Sequence, residues 1–312
     1  MRSLKYVFIL ILSMIVMTGS IFAGTEKNIK KSFDVSYGGK LSLDSDLGSI
    51  KVNTSNSEVV EVEIKLYAKA NDEDDAEEIF EDFDINFNHS GDNVKIDADY
   101  RKSKSWFGNW NNKLKVKFII TVPSNYNLDL STSGGSISVS DIKGKVDAKT
   151  SGGSLEFAHV MGELNGKTSG GSISLDKCDG DVDVHTSGGS ITIGEVKGRV
   201  FAKTSGGKIS VEEVMGQIKA STSGGSISAA ISKQPEADCE LKTSGGSINV
   251  KLSNNINAYL DARTSGGSVD CDFPVTVRGK MKSNRLEGKI NDGGPQLYFR
   301  TSGGSIIIRE IN

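Results

Sequence analysis

One six-residue motif, Thr-Ser-Gly-Gly-Ser-Ile, sets the architecture of this chain. It stands first at Thr132–Ile137 and returns at Thr150, Thr168, Thr186, Thr204, Thr222, Thr243, Thr264 and Thr301. The two glycines never vary. The fifth position is Ser except at Lys208, and the sixth is always Ile, Leu or Val. The first six copies are 18 residues apart and the next two gaps are 21. The last gap is 37, which divides as 21 and 16 if Arg285–Ile290 is a worn copy with Gly288 and Ile290 in register. A fixed short period of this kind means a repeat architecture.

Places are counted from each Thr. In Thr132–Lys149 the apolar residues are Ile137, Val139, Ile142, Val146 and Ala148, at places 6, 8, 11, 15 and 17. Thr186–Lys203 puts Ile191, Ile193, Val196, Val200 and Ala202 at the same places. Places 6 and 8 alternate with polar neighbours, and so do 15 and 17. Period-two alternation marks a strand with one buried face, so each repeat carries two short strands. Gly-Gly makes one corner between them, and the glycine at place 13 makes another. Glycine suits a corner because it reaches positive φ cheaply and does not crowd the next coil.

The alternation continues through place 1, so the threonines form an inward ladder and the serines at places 2, 5 and 7 face water. One repeat cannot bury its apolar face alone, but stacked repeats can. The pattern therefore predicts an all-β, single-chain β-solenoid (β-helix), rising about 4.8 Å per coil. About five inward apolar side chains per coil, each worth roughly 1.5–3 kcal/mol when buried, supply its core. A left-handed hexapeptide helix would need apolar places six apart. Places 6, 11 and 15 are not, so the right-handed form is favoured.

The run IITVPSNYNLDLSTSGGSISVSDIKGKVDAKTSGGS at Ile119–Ser154, with the Thr-Ser-Gly-Gly strand pairs after it, resembles the bacterial putative-adhesin family of β-strand-repeat proteins. That family is a domain of unknown biochemical function. The resemblance covers most of the chain and is clearest from Ile119 onward. It implies the stacked β architecture and carries no catalytic motif.

Residues 1–23 read as a signal peptide: Arg2 and Lys5, an apolar run over Val7–Met17, then Ser20-Ile21-Phe22-Ala23 as a cleavage site. Ile21 is large for its place, which leaves an uncleaved anchor as the alternative. No other stretch reaches membrane-spanning length. Loss of Arg2 and Lys5 with the leader takes the 37 basic residues to 35, against 40 acidic. That balance argues against a nucleic-acid partner.

Residues 24–131 are less regular and read as a β-rich N-terminal cap over the open end of the stack. It includes a worn corner, Asp46-Leu47-Gly48-Ser49-Ile50, and a strand through Val60, Val62, Ile64, Leu66 and Ala68. One short helix follows, with Asn71 able to cap it and Ala76, Ile79, Phe80 and Phe83 on its apolar face. Strands at Val94–Tyr100 and Leu114–Val122 complete the cap. Residues 132–312 are the solenoid, of about ten coils.

Four features invite a chemical reading. The helix region carries nine carboxylates between Asp72 and Asp84, either a cation- or partner-binding face or a solvated one; no calcium-loop spacing accompanies them. Asp181, Asp183 and His185 lie on one outward face, but equivalent places in adjacent coils read Glu163, Asn165, Lys167 and Arg199, Phe201, Lys203, a mixed charged ladder. Between two strands, Trp106, Phe107 and Trp110 stand among Arg101, Lys102 and Lys104. They are the candidate ligand-binding residues, since rings on a loop can stack on sugars and cations can meet anionic glycans, or they pack back on the cap. Cys178, Cys239 and Cys271 fall in inward phase as reduced thiols. No catalytic, cofactor-binding or metal-ligating set emerges, and no cofactor is implied.

The sequence thus points to a non-catalytic, adhesin-like scaffold, exported to the periplasm, cell surface or medium. Its expected partner is envelope glycan or another surface protein. The alternative is a carbohydrate-active β-helix enzyme, a polysaccharide lyase or hydrolase, which would need clustered carboxylates in a loop-built groove. A lattice binder using outward Thr is disfavoured by the inward phase. The last coil, Thr301–Asn312, places Ile307 outward at place 7. Either the coil Arg285–Arg300 folds over that end, or the end meets a second molecule in end-to-end self-association.

Overall fold

In a computed structural model, residues 25–100, 113–277 and 282–311 are described. They form two 14-stranded sheets and one helix, stacked face to face around a single apolar core. Each coil gives one strand to each sheet, so the chain is a β-solenoid. In the coil of Thr150, Val146–Thr150 lies in the second sheet and Leu155–Met161 in the first. Successive coils pair parallel and in register, Val146 with Leu164 and Leu155 with Ile173. The five inward places are filled as expected: Ile137, Val139, Ile142, Val146 and Ala148 are all buried. One coil trades volume between two of them. Phe157 occupies place 8 and Gly166 replaces the usual Ala at place 17, where an added Cβ would lie 3.6 Å from the Phe157 ring.

The threonine ladder is buried and bonded. Thr168 is 7% exposed, and its Oγ1 donates to the Gly153 carbonyl of the preceding coil at 2.7 Å. The same bond recurs from Thr150 to Gly135 and from Thr186 to Gly171. The place-5 serines form a second ladder: the Ser172 amide donates to Ser154 Oγ at 3.2 Å, and the Ser190 amide to Ser172 Oγ. These hydroxyls face outward yet hold neighbouring coils together.

The glycines are required by close approach, not by positive φ. Among the repeat glycines only Gly144 has positive φ, 149°. A Cβ on Gly171 would sit 2.0 Å from the Gly153 carbonyl oxygen, and one on Gly180 would sit 2.3 Å from that of Gly162.

The cap contains two full coils. Lys40–Ser45 and Ser49–Ser55 stack directly on the Thr132 coil, with Ser45 opposite Thr132 and Ile50 opposite Ile137. Ser45-Asp46-Leu47-Gly48-Ser49-Ile50 is therefore a worn motif copy, and Thr132 Oγ1 donates to the Gly48 carbonyl. Asn93–Tyr100 and Leu114–Pro123 form the next coil out. Beyond it the pairing turns antiparallel, through Val59–Ala68 and Thr25–Asp34 on one sheet and Phe83–Ser90 on the other. The Phe33 and Phe87 rings of the two edge strands meet with centroids 6.1 Å apart. The helix, Glu73–Glu81, joins the sheets at this end and buries Ala76, Ile79 and Phe80. Its cap is Asp72, not Asn71: the Asp75 amide donates to Asp72 Oδ1 at 2.9 Å.

The other end departs from the sequence reading. The final coil, Gln296–Thr301 with Ile306–Glu310, is not terminal in space. It lies between the Thr243 and Thr264 coils: Ile306 pairs with Ile248 on one side and Val269 on the other. Thr301 Oγ1 donates to Gly246 and Thr264 Oγ1 to Gly304, both at 2.6 Å. Arg285–Ile290 is not a corner copy but a straight strand, antiparallel to Ala258–Thr264, with Val275–Val277 antiparallel beyond it. It lacks the Thr and the Gly-Gly pair that make a turn, and Gly288 faces Leu260 across the ladder. The coil therefore does not fold over an exposed Ile307. That residue pairs between Asn249 and Asp270 within the sheet, which removes the free edge from which end-to-end association through this coil was expected.

Deletion of Gln296–Asn312 tests this order. Because Tyr259–Thr264 and Val269–Cys271 pair directly with the final coil, hydrogen exchange should show those amides losing protection while the Thr132 to Thr204 coils keep theirs. Retained protection at Tyr259–Thr264 would contradict the interleaved order.

Candidate functional site

Parallel in-register stacking turns each outward place into a column along the stack. Several of these columns pair opposite charges on adjacent rungs. Lys177 Nζ meets Glu195 at 3.0 Å, and Lys197 meets Asp179 at 2.9 Å. Lys197 holds the Asp179 carboxyl below the usual carboxylate range. Arg309 spans the interleaved coils, reaching Asp270 at 2.5 Å and Asp272 at 3.1 Å. Arg300 likewise pairs with Asp261 across the same junction.

The outward trio Asp181, Asp183 and His185 does not form one site. Asp181 turns to Arg199, accepting its backbone amide at 2.8 Å and its guanidinium at 3.0 and 2.6 Å. Those bonds hold the Asp181 carboxyl below its ordinary range. Asp183 Oδ1 instead pairs with His185 Nδ1 at 2.9 Å. Arg199 on the next rung has drawn Asp181 away from the other two.

Asp44, Asp46, Asp97 and Asp99 share the outward face of the capping coils. Asp99 is raised above its ordinary value, first by desolvation and then by the carboxylates of Asp46, Asp44 and Asp97. Asp97 is held by Lys95 at 2.8 Å, and Asp46 accepts the Tyr100 amide. Among the described residues no group of His, Cys, Asp and Glu has the geometry to hold a metal ion. The acidic helix is solvated on its outer side, with Glu73, Asp74, Asp75, Glu77 and Glu78 exposed.

The thiols are unpaired. Cys178 and Cys239 are buried, whereas Cys271 is only half-buried because it lies on the outermost strand of its sheet. Burial pushes the Cys178 thiol up to about 11, far from the thiolate form that reacts. The predicted ligand residues Arg101, Lys102, Lys104, Trp106, Phe107 and Trp110 lie outside the described residues.

The sequence reading missed one column. In seven of the nine motif copies the residue before Thr is Lys, Arg or His. Stacked, Lys149, Lys167, His185 and Lys203 stand on successive rungs. They line a shallow groove with the serines that follow each Thr, and no carboxylate lines it. Reading across one coil shows mixed charges. Only reading down the stack shows a single sign.

The sequence profile of the Toastrack DUF4097 family matches residues 39–309. The chain belongs to this family. The Toastrack match therefore takes in the two capping coils as well as the motif repeats. Among solved structures this Toastrack chain is similar to a putative adhesin from Bacteroides fragilis NCTC 9343, with 17% identity over 91% of this chain and 97% of that one, at a TM-score of 0.38. It is also similar to a putative lipid binding protein from Parabacteroides distasonis ATCC 8503, with 14% identity, the same coverage and a TM-score of 0.37. A third, a putative cell adhesion protein from Clostridium sporogenes ATCC 15579, has 15% identity over 92% of this chain and 100% of that one, with a TM-score of 0.24. No curated protein matches the sequence.

Proposed function

We propose that this Toastrack chain is a non-catalytic, adhesin-like scaffold of the cell envelope or cell surface, exported by its N-terminal leader, with envelope glycan as its ligand. The observation that supports this most is the uniformity of the stack. Corners such as Ser151–Ser154 and Gly162–Glu163 are only long enough to turn from one sheet to the other. Such turns do not raise loops over a face, and a glycan-cleaving site needs two carboxylates flanking a bound sugar. The outward carboxylates beside cations are held in rung-to-rung pairs, as in Asp181 with Arg199.

The aromatic segment remains the candidate contact for glycan. Double substitution of Trp106 and Trp110 by Ala is expected to abolish pull-down by cell-wall or lipopolysaccharide material without lowering the melting temperature. A lowered melting temperature with pull-down intact would assign the rings to packing. Release of oligosaccharides from that material by the wild-type protein would replace the scaffold reading with a carbohydrate-active one.

A further inference from the structure

We propose that the column Lys149, Lys167, His185 and Lys203 is a binding rail for a single anionic polysaccharide chain laid along the stacking axis. This deepens the envelope-glycan reading above and rests on it.

The first support is the sign of the column. Lys149 pairs in register with Lys167, Lys167 with His185, and His185 with Lys203, so basic side chains repeat about every 4.8 Å. Like charges directly opposite one another destabilise a sheet. Elsewhere in the stack opposite charges meet at Lys177 with Glu195 and at Asp181 with Arg199, and like charges meet at Glu195 with Glu213 and at Asp44 with Asp97. Four basic rungs in succession give the apoprotein no pairing between them, and an anionic ligand would supply it.

The second support is the missing counter-ions. Among the described residues Lys149, Lys167 and Lys203 have no ion-pair partner. The place two residues earlier on each strand, where an acid could answer them, is filled or altered. Asp147 is engaged by Lys145 and by the Asn165 amide. Before Lys167 that place holds Asn165, and before Lys203 it holds Phe201. Only Asp183 remains, and it holds His185. Further along the column the cations are neutralised, Lys242 by Glu240 and Arg300 by Asp261. The unanswered charge is confined to the coils that line the groove.

The third support is the shape and chemistry of the lining. A row one residue wide and roughly 15 Å long fits a linear chain. The serine hydroxyls beside it can bond sugar hydroxyls between the charged groups. The groove has no Phe, Tyr or Trp ring on which bases could stack, and the acidic excess of the chain disfavours nucleic acid. A flat anionic membrane would meet the carboxylates of Asp147 and Asp183 beside the row.

The test uses the mature full-length chain in calorimetric titrations at low and raised salt. The probes are polygalacturonate and phosphomannan, which carry carboxylate and phosphate, with neutral dextran as control. Single-stranded DNA and phosphatidylglycerol vesicles are the competing arms. At least one anionic polysaccharide should bind, more weakly as salt rises, and dextran should not. Lys167→Glu should weaken that binding about tenfold or more, while leaving the melting temperature equal or higher, because it sets a carboxylate between the basic side chains of the adjacent rungs. Lys251→Glu makes the same charge change on the other sheet and should leave binding intact. Equal losses from the two variants, or none from Lys167→Glu, would overturn the rail. Preference for DNA or vesicles would overturn the polysaccharide as its occupant. Failure of both anionic probes with the wild type, alongside a positive envelope pull-down through Trp106 and Trp110, would end this proposal and leave the scaffold reading standing.

Discussion

Gly171→Ala is expected to destabilise the stack by about 3 kcal/mol or more, whereas Gly170→Ala should change it by less than about 1 kcal/mol. The two glycines are adjacent in sequence and both are invariant in the motif. Their surroundings differ. A Cβ on Gly171 would lie 2.0 Å from the oxygen and 2.4 Å from the carbon of the Gly153 carbonyl, which is backbone and cannot swing aside. A Cβ on Gly170 would approach the Gly152 oxygen only to 3.3 Å. Relief at Gly171 requires the coils to separate, which also stretches the Thr168 bond to Gly153 and the Ser172 bond to Ser154. Because coils contact only their neighbours, the loss should start locally. Urea unfolding followed by hydrogen exchange in the Thr150 and Thr168 coils would measure it. A Gly171→Ala protein that unfolds with the wild type would remove close approach as the reason for the invariant second glycine.

Much of this fold is legible in the chain because each coil repeats the same physical problem. Period-two alternation placed Ile137, Val139, Val146 and Ala148 inward, and continuing the phase placed the threonines inward too. It also found the worn corner around Gly48, which the structure stacks on Thr132. What the pattern could not give was the spatial order at the C-terminal end. The Thr264 and Thr301 corners carry the same motif, so the motif does not say which of them lies next to the Thr243 coil. The choice rests on contacts between residues distant in sequence. Arg300 meets Asp261, Arg309 meets Asp270 and Asp272, and Arg285–Ile290 supplies an outer antiparallel strand for Ala258–Thr264. None of these has a local signature. The lysine column was hidden for a related reason. A site made by stacking has its residues 18 apart, and neighbours along one strand, such as Asp147 beside Lys149, mask the shared sign.

Thr168→Lys should be among the most damaging substitutions in the molecule, and Ser172→Lys among the milder ones, although both put the same side chain on the same corner. Thr168 is 7% exposed and points into the core, so a lysine there must bury its ammonium or leave the stack. A buried unpaired charge costs several kcal/mol. Ser172 faces water, and its loss removes one acceptor, for the Ser190 amide at 3.2 Å, worth about 1 kcal/mol. The native Lys208 already occupies the equivalent place. Thr168→Val separates shape from hydrogen bonding. It keeps the volume and the burial but withdraws the donor from the Gly153 carbonyl and the acceptor from the Gly171 amide. The cost should be about 1–3 kcal/mol, the penalty for leaving a buried backbone group unsatisfied. The expected order of melting temperatures is wild type, then Ser172→Lys, then Thr168→Val, then Thr168→Lys. If Thr168→Val melts with the wild type, the threonine ladder contributes packing alone and the coil-to-coil hydroxyl bond adds nothing. If Thr168→Lys is as mild as Ser172→Lys, the threonines face solvent and the phase of the whole stack is reversed.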